Sequence, residues 1–479
     1  MSSFKNGLIK LFAKIEISSY KAATKRLGGN IEEAGDEISG LIQDIRSFED
    51  AVNKYIIRAF IEDNLNIGFI YPNARLKEHM KAVSEEMSAR LDSIVQCLES
   101  LKTGTEGLED TFYDMCIQEG KVALLLRFEI LSEPELKVGD ISFGSANLQL
   151  DAIGKNNKDY YLIAKRWQNT LRRFLPEIHL SDTAIVMQGP ILYEDDFTLE
   201  SLYRYRKIYP DTPIILSTWV GEVTDEFSYL ATSINVFILE NETPQETGPS
   251  NIKYQLKSSL EGIKAVKEFG DIDYVMKTRT DQRILKPDFL SYFRHLLRTY
   301  PCGAKELSER IVFLGGWNSM VTFPFRISDF MAFGTITDLI NYYSASGDDE
   351  ILEKTYTDKE SISGHIGKWA SRIMFEHSDT FDMPDDERRA LSRELFGSHD
   401  PESYLCCSFY ERVILRRLLN EEDDVLKHYW EFLKNYAIVA DADQLLILWH
   451  KYKFMQQEWN SLEADGGLTQ SVWLSLYYG

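Results

Sequence analysis

From Thr183 onward the chain alternates short β-rich runs with helical stretches, and no other feature constrains its fold as much. Ala184–Ile191, Pro213–Trp219, Asn235–Glu240 and Tyr274–Thr278 read as strands. Phe197–Tyr209, Asp225–Thr232 and Asn251–Phe269, lying between them, read as helices. That succession predicts βαβ units with right-handed connections and an α/β, Rossmann-type, mostly parallel sheet covered on both faces. Ile311–Leu314 and Ser319–Phe325 read as further strands beyond this half.

Upstream, the apolar period is different. Ile31, Ala34, Ile38, Leu41, Ile45, Phe48, Val52, Tyr55 and Ala59 recur at spacings of three and four, as in a coiled-coil seam. Asn64, Asn66, Gly68 and Pro72 break it, and Leu76, Met80, Val83, Met87, Leu91, Ile94, Leu98 and Leu101 form a second seam. Two such helices with a short connection predict an antiparallel hairpin. Neither seam buries itself alone, so the hairpin packs either on the rest of the chain or on another copy in a homo-oligomer. Lys121–Asp182 is weakly patterned and reads as a connector, whereas the sequence from Pro401 is again helical and rich in aromatics. The expected division is a helical N-terminal region over 1–178, an α/β domain over 179–400 and a C-terminal helical region over 401–479.

Composition narrows the setting. With 44% hydrophobic and 27% charged residues, the chain has the make-up of a globular protein, and no run approaches the roughly 18 apolar residues of a membrane span. Met1 to Lys14 lacks a secretory signal pattern, and Cys97, Cys116, Cys302, Cys406 and Cys407 form no Cys-x-x-Cys pair. A reduced, cytoplasmic chain is the expectation. The net charge of −22 argues against nucleic acid as a partner. Residues 1–30 nevertheless carry +5, with Phe4, Leu8, Leu11, Phe12 and Ile15 on one helical stripe. Such a helix either lies on the inner face of an anionic membrane as a peripheral contact or packs into a core.

In an open α/β sheet, ligands sit outside the carboxyl ends of the strands. Gln188-Gly189-Pro190 and Lys277-Thr278-Arg279-Thr280-Asp281 fall at two such ends. Lys277 and Arg279 would pair phosphate oxygens, and Asp281 could hold Mg2+ or Mn2+, since magnesium needs only one or two protein carboxylates beside phosphates and water. The alternative is a salt-bridged strand end without a ligand. Ser217, Thr218 and Trp219 close another strand, and Asn251 and Gln255, four apart on a helical face, could reach the same ligand or pair with loop backbone. No Gly-x-Gly-x-x-Gly, Walker A, His-Glu-x-x-His or Gly-x-Ser-x-Gly pattern is present, which sets aside dinucleotide enzymes, P-loop kinases, zinc proteases and serine hydrolases.

An ordered series of segments adds to this reading: Ile185–Ile191, Tyr205–Pro210, Ile215–Trp219, Asn251–Gly262, Lys277–Asp281 and Phe323–Phe330 with Gly334. The series resembles the WavE-type family of lipopolysaccharide-synthesis glycosyltransferases over roughly Thr183 to Asn341, with Pro401-Glu402-Ser403-Tyr404-Leu405 as an outlying element. The resemblance implies a GT-A-like fold, a nucleotide-sugar donor and a glycan or lipid-linked glycan acceptor. It also implies that Lys-x-Arg-x-Asp stands where many such enzymes carry Asp-x-Asp. Tyr254 departs from the family pattern, which has Arg there. For an acceptor-side base, Asp329 is the first candidate, on a turn between a strand-like and a helix-like run, and Glu402 the second. Ser328 or Asp329, and Ser403 beside Glu402, would also suit helix N-caps. Trp317, after Gly315-Gly316, offers a stacking face for a sugar or simply flanks a hairpin turn. Two competing readings remain open: a non-catalytic scaffold carrying a degenerate transferase domain, and a nucleotidyltransferase.

Overall fold

The computed structural model describes residues 31–56, 73–103, 108–130, 175–248, 251–316, 319–345, 401–420, 422–452, 454–455 and 467–479, with residues 11, 14, 15, 18, 21, 22, 384 and 386. Trp317 lies outside the described residues, as do Ala59 and most of the connector. The described residues fall into two compact units, the first drawn from Met1–Asp159, Ile163–Leu175 and Thr224–Val236, the second from the remainder.

The first unit is helical. Helices α1 (Ile31–Ile56) and α2 (Asn73–Thr103) follow the two apolar seams, and Ile38, Ile45, Met87, Leu91, Ile94 and Leu98 are buried between them. A third helix, α3 (Leu108–Leu124), continues in a π turn over Leu125–Ile130 and adds Met115, Val122 and Leu126 to the same core. The sequence shows only a connector beyond Lys121, because this helix carries a short apolar face broken by acids. Leu11 and Ile15 are buried in this core too, so the described members of the basic stripe pack inward. Each fully buried aliphatic side chain contributes about 1.5–3 kcal/mol, so a seam of this length suffices to hold the helices together.

The second unit is α/β. Its seven-stranded sheet runs β3-β2-β1-β4-β7-β6-β8. The strands are β1 (Thr183–Gln188), β2 (Ile214–Trp219), β3 (Val236–Asn241), β4 (Tyr274–Arg279), β6 (Ile311–Gly315), β7 (Ser328–Thr335) and β8 (Ala437–Asp441). Strand β1 is parallel to β2 and β4, and β6 is parallel to β8, while β7 runs antiparallel to β4 and β6. The expected α/β, mostly parallel sheet is therefore present. In register, Gln188 lies level with Ser217 on one side and Arg279 on the other, so three polar strand ends share one edge.

Helices α4 (Phe197–Ile208), α6 (Ile252–Ala265), α7 (Phe289–Thr299) and α8 (Ile336–Tyr343) accompany the sheet, while α5 (Asp225–Ser233), between β2 and β3 in sequence, belongs to the helical unit. Gly262 shows why α6 approaches so closely: a Cβ there would meet Val186 Cγ1 at 2.6 Å and Ser217 Cβ at 2.9 Å. The expected C-terminal helices are α9 (Pro401–Phe409), α10 (Val425–Tyr436) and α11 (Gln470–Tyr478). The same segment also supplies β8 and a small sheet in which β9 (Ile447–Trp449) pairs antiparallel with both β5 (Gln282–Ile284) and β10 (Phe454–Met455).

One strand assignment is corrected. Ser319–Phe325 is a series of bends, and the strand lies further on, as β7. Phe325 has φ +58°, and the Met320 amide donates to the Arg326 carbonyl, closing a loop whose side chains Val321, Phe323 and Phe325 are buried. Their alternation records a packed loop, held by Tyr429 Oη donating to the Met320 and Arg326 carbonyls and Trp430 Nε1 donating to the Val321 carbonyl. Asp329 consequently sits inside β7, neither on a turn nor at a helix N-cap.

Candidate functional site

A cavity of about 650 Å3 opens at the carboxyl ends of β1, β2 and β4. Of the residues expected there, Gln188, Gly189, Trp219, Asn251, Gln255, Arg279 and Asp281 line it. Gly189 has φ +118°, and a Cβ would come within 3.0 Å of Thr280 Oγ1, so a side chain is strained there and the floor stays open. Thr280 fixes this turn by donating from Oγ1 to the Pro190 carbonyl at 2.6 Å and from its amide to the Gln188 carbonyl at 3.1 Å.

Asn251 stands at the N-cap of α6 with φ +63°, yet its side chain makes no capping hydrogen bond. Gln255 follows one turn on, and its Nε2 is buried without a hydrogen-bond partner. Tyr254, the departure from the family pattern, also lines the cavity and meets Trp219 edge-on with ring centroids 4.7 Å apart.

Ser217 and Thr218 are buried beneath the cavity. Ser217 Oγ donates to the Ser258 carbonyl at 2.7 Å and accepts from Asn241 Nδ2 at 2.9 Å. Thr218 Oγ1 donates to Glu222 Oε2 at 2.8 Å, and that carboxylate, which does line the cavity, also accepts from the Ile191 amide. These two hydroxyls thus position the wall and leave direct contact to Glu222.

The charged strand end divides into three roles. Lys277 is fully buried and donates from Nζ to the Asp329 backbone carbonyl at 2.5 Å. Burial pulls its pKa down to about 8, with the charge of Asp329 opposing and that of Arg279 adding. Arg279 reaches the cavity. Burial disfavours its charge, but Asp281, Asp329 and Glu402 outweigh that and hold its pKa above the ordinary value.

Asp281 accepts from Arg279 Nε at 2.9 Å on one oxygen and from Arg279 Nη2 at 3.0 Å on the other. Trp449 Nε1 donates to that second oxygen at 3.1 Å. Burial alone would raise the Asp281 pKa, and the Arg279 charge and hydrogen bonds reverse the shift. Both oxygens accept hydrogen bonds, so Asp281 holds Arg279 in place. Neither Asp329, 7% exposed within β7, nor Glu402, half-buried in the first turn of α9, lines the cavity.

Sequence reasoning missed the opposite rim. Pairing of β9 with β5 carries His450 and Lys451 to the cavity, and the His450 amide donates to the Asp281 carbonyl at 3.0 Å. Glu194, after β1, lines the same rim. No signal in the sequence joins residues so far apart, although the acid run Glu194-Asp195-Asp196 directly after a strand end is a local hint.

Among the described residues no helix is long and apolar enough to cross a membrane. Comparison with curated proteins gave no match. Residues 183–367 match the family model described as WavE lipopolysaccharide synthesis, a stretch that includes the strand-end residues lining the cavity.

Proposed function

We propose that the chain is a glycosyltransferase that moves a sugar from a nucleotide-diphosphate donor onto a growing surface glycan of lipopolysaccharide or capsule type. The observation that carries this reading is Arg279, its side chain 24% exposed, in a cavity of about 650 Å3 at the strand ends and oriented by Asp281. Asp281 takes only part of the guanidinium's donor fork, leaving N–H groups for phosphate oxygens. The volume lies within the range of about 300–1,000 Å3 that suits a ligand of this size. Gly189 lets backbone approach the diphosphate, the Trp219–Tyr254 corner offers a nucleobase an aromatic wall, and the amides of Asn251 and Gln255 supply hydrogen bonds.

For the acceptor step, Glu402 is the more accessible of the two carboxylates that surround Arg279, and we assign it the base role ahead of Asp329. The Arg279–Asp281 pairing is equally what a donor-binding scaffold without turnover would keep, so binding and transfer require separate measurement.

Thermal-shift titration with nucleoside diphosphates and nucleotide sugars tests donor binding, because a ligand of the native state raises Tm by mass action. One nucleotide class should stabilise the wild type, and Arg279→Ala should weaken its binding by about 100-fold, the scale of a lost charge-assisted hydrogen-bond pair. Absence of any nucleotide shift, or unchanged affinity in a folded Arg279→Ala protein, would overturn the reading. Binding without sugar release in any acceptor mixture would select the scaffold.

A further inference from the structure

The rim opposite Arg279 has a second cluster of a different kind. His450 is 2% exposed, and its ring packs on Phe197 with centroids 4.9 Å apart. Its own amide donates to the Asp281 carbonyl, and the indole of Trp449 before it donates to the Asp281 carboxylate. The imidazole is therefore fixed. Its Nδ1 lies 3.9 Å from Glu194 Oε2 and its Nε2 lies 3.8 Å from Asp195 Oδ2. The two separations are to different ring nitrogens, and only one nitrogen of an imidazole can face a common ion.

One ligand atom from each of Glu194, Asp195 and His450 falls within 4.8 Å of the others. Ligands of a common ion with bonds of about 2.1 Å stand no more than about 4.2 Å apart, and small rotations of the two carboxylate side chains, 62% and 50% exposed, close that difference.

We infer that Glu194, Asp195 and His450 form a divalent-cation site at the mouth of the cavity, of the Mn2+ type. Two carboxylates with one imidazole make a mixed oxygen–nitrogen set, which suits Mn2+ better than the all-oxygen shells of Mg2+ and Ca2+. Three protein ligands leave the remaining positions to water and, on the donor reading above, to phosphate oxygens entering between this rim and Arg279. The ion would neutralise the diphosphate from one side and Arg279 from the other. The site draws on the β1 exit and the C-terminal segment, across the cavity from Asp281, the residue expected from the sequence to hold an ion.

The test uses the full chain and Mn2+ alone, following loss of the free-ion signal by electron paramagnetic resonance without nucleotide. One Mn2+ should bind per wild-type chain, and Glu194→Gln/Asp195→Asn should weaken it at least tenfold. His450→Gln should do the same; because His450 is buried, the exposed double variant decides if that protein fails to fold. No Mn2+ binding to wild type, or equal binding by the double variant, overturns the site. Repeating the nucleotide titration with and without Mn2+ keeps the two ideas apart. Mn2+ binding without any nucleotide binding sinks the donor reading alone, whereas nucleotide binding indifferent to Mn2+ removes the ion from donor capture.

Discussion

Two charged clusters face each other across one cavity, and they are built on opposite principles. Arg279 and Asp281 meet at 2.9 and 3.0 Å, with Trp449 completing the carboxylate's shell. Glu194, Asp195 and His450 bring one ligand atom each to within 4.8 Å of the others, with the two carboxylates 62% and 50% exposed. The first cluster is satisfied by folding itself and presents a rigid guanidinium. The second is spaced so that something of opposite charge can enter. A third pairing marks the limit of the first kind: Arg283 is fully buried, lies 3.0 Å from Glu200, donates to Ser201 Oγ and the Phe197 carbonyl, and stacks on the Phe197 ring. That pair ties β5 to α4.

Breaking the deepest pair should have the largest effect. Arg283→Ala leaves Glu200 buried without its cation and should cost about 3–5 kcal/mol of folding stability, measured by urea denaturation. A cost below about 1 kcal/mol would contradict a structural role for this pair.

Lys277 gives a pH-dependent test of the same interior. Its folded pKa of about 8 lies below the unfolded value near 10.5, so between those values the unfolded chain binds more protons. This group's contribution to stability should therefore rise from about pH 8 to about pH 10.5, by ~3 kcal/mol in total. Lys277→Met should flatten that rise, and an identical pH profile for the two proteins would show that the ammonium is not held in a desolvated site.

The smallest effect is expected at the rim. In metal-free protein, Glu194→Gln/Asp195→Asn should change stability by less than about 0.5 kcal/mol, because carboxylates as exposed as these carry little folding energy. A loss above 1 kcal/mol in the same urea experiment would show that the rim, too, is a structural pair.

The strand-end side of this comparison was legible in the sequence because its signals are local. Apolar runs such as Thr183–Gln188 and Tyr274–Arg279 end in polar residues, and the register of parallel strands brings those ends level. Asn251 and Gln255 were readable from helical spacing alone. The rest depended on distant partners. The loop over Ser319–Phe325 mimics a strand because its alternating side chains are buried by Tyr429 and Trp430, which lie about a hundred residues on. Asp329 looked like a turn residue for the same reason, since β7 begins only after that loop. His450 reaches the cavity through β9 pairing with β5, a contact that no window of sequence contains.

The β5–β9 pairing also fixes an order of events during synthesis. Residues 183–367, the family-matched segment, leave the ribosome before Trp449 and His450 are made. At about 5–20 residues per second, the interval between Asp281 and His450 is on the order of ten seconds or more. Throughout that interval Arg279 has its carboxylate partner, but the indole and imidazole that complete the wall do not yet exist. A nascent chain therefore has half a pocket until translation has passed residue 450.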